Sequence, residues 1–190
     1  MKKILSIIAV AFMAISTSAQ SEAGSLSWKP NVGITYSSAS GDLGKVVDGR
    51  IGLTAGVEAM YMVNEKFGAA AGINYTGYNT GHDRGGESVS LTNYYFHVPV
   101  TANYYVSQGL ALKAGLAFNI LASAKISYDG NSGDNKDAYS SIFVSVPIGA
   151  SYELSNGFVL DLRYSLGITD AAKHGSGSFN SLMFTVGYKF

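Results

Sequence analysis

A set of ionisable side chains lies on the polar face of segments whose alternate residues are apolar. Asp161 and Arg163 are two residues apart, so in an extended strand both side chains lie on one face. Glu153 and Lys189 are candidate partners for this pair on neighbouring segments. The same pattern places further polar-face residues elsewhere in the chain: Lys29, Glu58, His97, Lys113 and Lys125. Such a set could form an ion or proton path, or a network of ion pairs that only holds a structure together.

No catalytic motif accompanies these side chains. The sequence contains no G-x-S-x-G elbow, phosphate-binding loop or dinucleotide fingerprint. The three histidines lack the spacing of metal ligands, and there is no cysteine. We therefore predict no catalytic, cofactor-binding or metal-binding residues, and no enzyme activity.

The amino terminus has the pattern of a secretory signal peptide, which we assign to residues 1–19. Lys2 and Lys3 precede an apolar run over residues 4–15, and the small residues 17–19 form a cleavage site. The run is too short to span a membrane, which takes about 20 residues. Cleavage removes two lysines and leaves a slight acidic excess, so we expect no nucleic-acid partner.

Residues 20–190 form one predicted domain. Alternation of apolar residues, typical of β-strands, recurs in segments over residues 28–36, 50–63, 67–78, 89–106, 110–129, 138–154, 158–168 and 179–190. Short turns alternate with longer polar loops, the arrangement of an up-and-down meander. We therefore predict an all-β fold, an eight-stranded antiparallel transmembrane β-barrel, with both termini on the periplasmic, short-turn side.

The polar face decides between a membrane barrel and a soluble lipocalin-like barrel, since strands alternate in both. It combines charges with many glycines, which suit a narrow, crowded lumen better than a solvated surface. The apolar face is uncharged and bordered by aromatic residues, with Trp28, Tyr61, Phe67, Tyr104, Tyr152, Phe158, Tyr188 and Phe190 at the turns and Tyr36, Tyr75, Tyr94, Tyr128, Tyr139 and Tyr164 towards the loops. We therefore predict a lipid-facing apolar surface and a charged lumen without an open pore.

Two prolines lie within predicted strands. Pro99 and Pro147 both fall on the polar, inward face. Because proline cannot donate a ladder hydrogen bond, each predicts a bulge or kink that shapes the barrel. The alternative interpretation is a lumen site beside His97.

Three segments carry a family resemblance: FHVPVTANYYV (96–106), FVLDLRYSLGITD (158–170) and VGYKF (186–190). Together they resemble the PorT-like outer-membrane protein β-barrel domain family of small, OmpX-like barrels. The resemblance implies an outer-membrane protein of a Gram-negative bacterium, in contact with outer-membrane lipid and lipopolysaccharide. The terminal Phe190 resembles the signal that barrel-assembly machinery reads. A shared scaffold does not imply one activity.

Three classes of function stay open. The favoured hypothesis is a closed, monomeric barrel that displays four extracellular loops for surface structure or interaction. The alternatives are a barrel that binds or transports a small apolar molecule, and a secretion-associated barrel of the PorT-like kind. A lipid-modifying enzyme has the least support, because no serine follows His97 at short spacing.

Overall fold

The computed structural model describes residues 22–45, 47–84, 87–128, 131–173 and 176–190. The predicted signal peptide, residues 1–19, lies outside these residues. The described strands are β1 (Leu26–Ala39), β2 (Asp48–Met62), β3 (Phe67–Arg84), β4 (Glu87–Tyr105), β5 (Leu110–Tyr128), β6 (Asn131–Asp134), β7 (Ile142–Glu153), β8 (Phe158–Gly167) and β9 (Phe179–Tyr188). Short 3₁₀ turns cover Leu43–Lys45 and Lys136–Ala138. Within the described chain, no helix has the length and hydropathy needed to cross a membrane.

Eight of these strands close into an antiparallel barrel, in the order β1, β2, β3, β4, β5, β7, β8, β9 and back to β1. At the seam, β9 pairs with β1 from Asn31↔Gly187 to Ala39↔Phe179. Beyond that ladder, the Trp28 N–H donates to the Phe190 carbonyl over 3.2 Å, and the Phe190 N–H donates back over 2.9 Å. The predicted eight-stranded up-and-down fold is confirmed. Closure pairs both strands that would otherwise be edges.

The barrel wall is much taller on one side. β3, β4 and β5 have 18, 19 and 19 residues, whereas β8 and β9 have 10 each. Crossing the hydrocarbon takes about 9–11 residues per strand, so the tall strands continue well beyond it. The extension lies at the loop side, the end of the barrel opposite the short turns at residues 63–66, 106–109 and 154–157.

Two predicted loops are therefore partly strand. The loop expected over residues 79–88 is a hairpin paired to its tip at Arg84↔Glu87. The loop expected over residues 130–137 contains β6, which pairs with the end of β5. The prediction failed here because polar and glycine residues no longer alternate with apolar ones once a strand leaves the lipid. Their backbones nevertheless complete the ladder.

The two faces of the barrel differ as predicted. On the outer face, Val32 and Leu53 are 62% and 64% exposed, whereas inward-facing Glu58 is 2% exposed. Inward glycines provide room for long side chains. A Cβ on Gly187 would come within 2.8 Å of the Lys29 Cγ. This sidedness is the reverse of a soluble barrel, which buries its apolar face.

Aromatic side chains border the outer face at both ends. At the turn side, the ring centroids of Phe67 and Tyr104 lie 4.8 Å apart. Towards the loops, Tyr75 and Tyr94 stack at 4.8 Å. The prediction that Tyr139 belongs to the outer aromatic border is wrong, because Tyr139 is 4% exposed and packs inside the barrel. It follows the 3₁₀ turn before β7 rather than lying in a strand, so the alternation rule does not apply to it.

Of the bulge or kink predicted at each proline, the bulge is absent from the described strand pairings. The register is unchanged across Pro99 in the β3–β4 pairing and across Pro147 in the β5–β7 pairing. Each proline instead coincides with a short gap in the ladder, where the register places Gly72 and Gly115 opposite. The missing N–H is thus accommodated without a slip of the strands.

Candidate functional site

Five charged side chains meet in the turn-side half of the lumen. We name them the charged layer: Lys29 on β1, Glu58 on β2, Lys113 on β5, and Asp161 and Arg163 on β8. Strand alternation turns each one inward. The register then places Lys29 directly opposite Glu58.

Every cation of the charged layer contacts both carboxylates. Lys29 Nζ lies 2.7 Å from Glu58 Oε1 and 3.3 Å from Asp161 Oδ2. Lys113 Nζ lies 3.3 Å from Glu58 Oε1 and 2.5 Å from Asp161 Oδ2. Arg163 Nη2 lies 3.0 Å from Glu58 Oε2 and 3.3 Å from Asp161 Oδ2. All five residues are buried, so each charge depends on its partners rather than on solvent.

A separate ion pair closes the turn side. Lys189 Nζ lies 2.7 Å and 2.5 Å from the two carboxylate oxygens of Glu153. The pair lines a cavity of about 210 Å³ that also contacts Glu65, Lys66 and Tyr105. The expectation that Glu153 and Lys189 would pair with Asp161 and Arg163 is wrong. They lie nearer the turns and pair with each other.

His97 belongs to a polar layer rather than to the charged layer. Its Nδ1 lies 2.7 Å from Asn119 Oδ1, which also accepts a hydrogen bond from the Tyr78 hydroxyl over 2.9 Å. Asn119 in turn donates to Ser145 Oγ over 3.0 Å. An amide oxygen can only accept, so Nδ1 is the protonated ring nitrogen. The Tyr78 hydroxyl also lies 3.3 Å from the same Nδ1, so Tyr78 and Asn119 together fix the histidine ring. Within the described ranges, no group of three or more metal-ligating residues occurs.

An aromatic plug fills the loop side of the lumen. We use this name for Tyr78, Tyr95, Tyr139, Phe143 and Phe179, which pack in one buried cluster. Ring centroids of Tyr95 and Phe143 are 5.1 Å apart, and those of Tyr78 and Phe179 are 5.8 Å apart. The plug was not among the features predicted from the sequence. Its signal was available, because Tyr78, Tyr95 and Phe143 are large aromatics on the otherwise polar face.

Lys125 does not join the lumen charges. The β4–β5 register shifts by one residue between Tyr94 and Tyr95, and beyond this bulge Lys125 pairs opposite Thr92. Lys125 is exposed. The prediction was wrong because the extra residue reverses which face an odd-numbered position occupies.

Two of the three plug tyrosines make a matched test. Tyr78→Phe removes a hydroxyl that donates to Asn119 and should cost about 0.5–1.5 kcal/mol. Tyr95→Phe removes a buried hydroxyl that lacks a hydrogen-bond partner in the described structure, so it should be neutral or stabilising. Urea unfolding of the refolded barrel in lipid vesicles measures both. Equal losses for the two variants would contradict the hydrogen-bond assignment.

Fold and lumen together define an integral membrane β-barrel of the outer-membrane class. The chain belongs to the outer membrane protein β-barrel domain family, which matches residues 18–173. No curated protein matches the sequence.

Solved structures share the fold at low sequence identity. Neisserial surface protein A is 18% identical, with a TM-score of 0.61, over 86% of this chain and 97% of that one. Ail, the attachment invasion locus protein of Yersinia pestis, is 17% identical, with a TM-score of 0.54, over 88% and 99%. Ail has also been solved with the heparin analogue sucrose octasulfate. At these identities the likeness is one of fold.

Proposed function

We propose that the protein is a permanently closed outer-membrane barrel whose loop-side surface makes contacts outside the cell. The observation that carries the proposal is the filled lumen. The aromatic plug, the polar layer around His97, the charged layer and the Glu153–Lys189 pair follow one another along the barrel axis. Eight strands enclose just enough space for such a filling, which leaves the outer surface to carry the function.

The loop side supports this proposal because its connections are organised. Between the β1–β2 and β8–β9 connections, the Asp42 N–H donates to the Ser176 carbonyl over 3.0 Å. Between the β6–β7 and β8–β9 connections, the Lys173 N–H donates to the Ala138 carbonyl over 3.0 Å. We name this loop-side surface the platform: it consists of the β1–β2, β6–β7 and β8–β9 connections and the ends of the tall strands β3–β5. Its ordered contacts make it suited to recognition.

The proposed orientation places this platform outside the cell and both termini in the periplasm. Long loops face outward in outer-membrane barrels, and short turns face the periplasm. We further propose a monomer that contacts lipopolysaccharide and is delivered by barrel-assembly machinery. Because Ail has been solved with a heparin analogue, sulfated polysaccharides are one partner class to test. A secretion role of the PorT-like kind would be another partner identity within the same proposal.

Planar-bilayer recording tests the closed lumen. The purified barrel should show no steady, porin-sized conductance, because buried side chains pack across the lumen in the part of the chain that the structure describes. Steady conductance from the correctly folded barrel, identified by its different migration before and after heating, would overturn the closed-barrel proposal.

Crosslinking in intact outer membranes tests the surface role. A partner captured by the wild-type protein should be lost when the end of the β3–β4 hairpin, residues 79–89, is replaced by a short turn. The matched control replaces the Glu65 and Lys66 side chains at the opposite end of the barrel. Capture that survives the hairpin change, or depends on the control change, would contradict recognition at the platform.

One platform contact depends on pH in a defined direction. Hydrogen bonds from Lys45 and Ser176 hold the pKa of the Asp42 carboxyl below its usual value. A lowered pKa means that the contact is present at neutral pH and is lost only as pH falls through that lowered value. We expect protease cleavage of the β1–β2 connection to increase only as pH falls through that lowered pKa, below the range where a carboxyl ordinarily titrates. Asp42→Asn should show the increased cleavage already at neutral pH, without further change on acidification.

A further inference from the structure

The charged layer does not balance its own charge. Three cations, Lys29, Lys113 and Arg163, meet two carboxylates, so the fully ionised layer carries one excess positive charge. The other ion pair described in the interior, Glu153 with Lys189, is neutral as a pair and cannot compensate. An uncompensated charge in a closed interior is costly. The layer must therefore gain an anion or lose a proton.

Two buried donors mark where an anion would lie. Arg163 reaches both carboxylates through Nη2, while its buried Nε has no hydrogen-bond partner in the described structure. Ser165 is the next inward residue on β8, is 0% exposed, and its hydroxyl also lacks a partner there. The Cα atoms of residues two apart on one strand face are about 7 Å apart, so both donors belong to the same inward stretch of β8.

A small cavity borders the turn side of the same layer. A small cavity of about 20 Å³ is lined by Lys29 and Glu58 of the charged layer and by the Glu153–Lys189 pair. This volume accommodates one particle of about the size of a water molecule. Neither Arg163 nor Ser165 lines this cavity, and their unpaired atoms are closed to a water-sized particle, so a ligand between them would have to be small and fully enclosed.

We propose that the charged layer binds one small monovalent anion of the halide type, held by the Nε–H of Arg163 and the hydroxyl of Ser165. The anion would complete the charge balance of three cations with three anions. It would also satisfy two donors that the protein itself leaves unpaired. The site would be a structural counter-ion site enclosed by the barrel, independent of the loop-side platform.

Bromide tests the proposal because its anomalous scattering identifies it. Protein refolded and crystallised in bromide should show an anomalous peak between Arg163 and Ser165. In vesicles at constant ionic strength, replacing gluconate with bromide should stabilise the barrel. Above the dissociation constant, each tenfold rise in bromide should lower the unfolding equilibrium constant by about tenfold.

Variants separate the anion from general salt effects. Lys113→Met leaves two cations with two carboxylates and should lose both the peak and the bromide dependence. If that variant does not fold, Lys29→Met makes the same test. Ser165→Ala should weaken the dependence, whereas Ser27→Ala, on the turn side of the layer, should not. Absence of the wild-type peak would overturn the proposal and indicate proton loss instead. Equal dependence in Lys113→Met would also overturn it, by showing a general salt effect.

Discussion

Replacement of Asp161 by alanine should destabilise the folded barrel by about 3–5 kcal/mol, the usual cost of breaking a buried ion pair from one side. The substitution removes one of two carboxylates shared by Lys29, Lys113 and Arg163. Three cations would then share Glu58 alone in a closed interior. Urea unfolding in lipid vesicles, followed by fluorescence of the single tryptophan, Trp28, measures the change.

Two controls give this result its meaning. Lys125→Ala removes a cation that lies outside the lumen and should change stability little. The double variant Asp161→Ala/Lys113→Ala removes opposite charges together and should recover part of the loss, because two cations rather than three then share Glu58. If the double variant loses the sum of the two single effects, the layer does not act as a coupled network.

Loss of Phe190 should sharply reduce the amount of barrel in the outer membrane. The contribution of the Phe190 ring can be separated from that of the closing hydrogen bonds, because the bonds between Phe190 and Trp28 use backbone atoms only. Phe190→Ala keeps those bonds and removes the ring, whereas deletion of Phe190 removes both. If the ring is an assembly signal, both variants should accumulate unassembled protein in cells, while Phe190→Ala should still refold in vesicles.

The heated and unheated migration of the protein on detergent gels reports assembly in both settings. Normal cellular assembly of Phe190→Ala would contradict the assembly-signal role. If only the deletion variant assembles poorly, the closing hydrogen bonds matter and the ring does not. Phe158→Ala, which removes another turn-side aromatic of the outer face, is the matched control for a general loss of girdle packing.

Strand alternation was enough to predict the barrel, its closure and the inward direction of most lumen charges. Lys29, Glu58, Lys113, Asp161 and Arg163 all lie on regular strand stretches, where period two assigns a face correctly. Lys125 failed because a one-residue bulge precedes it. Nothing in the local composition around that bulge marks an extra residue.

Partner choice could not be predicted in the same way. Glu153 pairs with Lys189 rather than with Arg163 or Asp161 because of the height of each residue along the barrel axis. That height is set by the tilt of the strands relative to the axis. Alternation gives the direction of a side chain but not that height. The aromatic plug was missed for a different reason. Phe143 and Phe179 lie on the polar face of their strands, where alternation alone does not show that aromatics from distant strands meet at one height in the lumen.

The charged layer draws on residues that are very distant in the chain. Lys29 and Asp161 are 132 positions apart, and Glu58 and Arg163 are 105 apart. Contacts of such long range form late and slowly, because a large loop must be ordered before any of them is made. A sheet in which only some strands have paired would leave the three cations of the charged layer without their carboxylate partners. Folding should therefore be cooperative at its last step, and escape from the native state correspondingly slow.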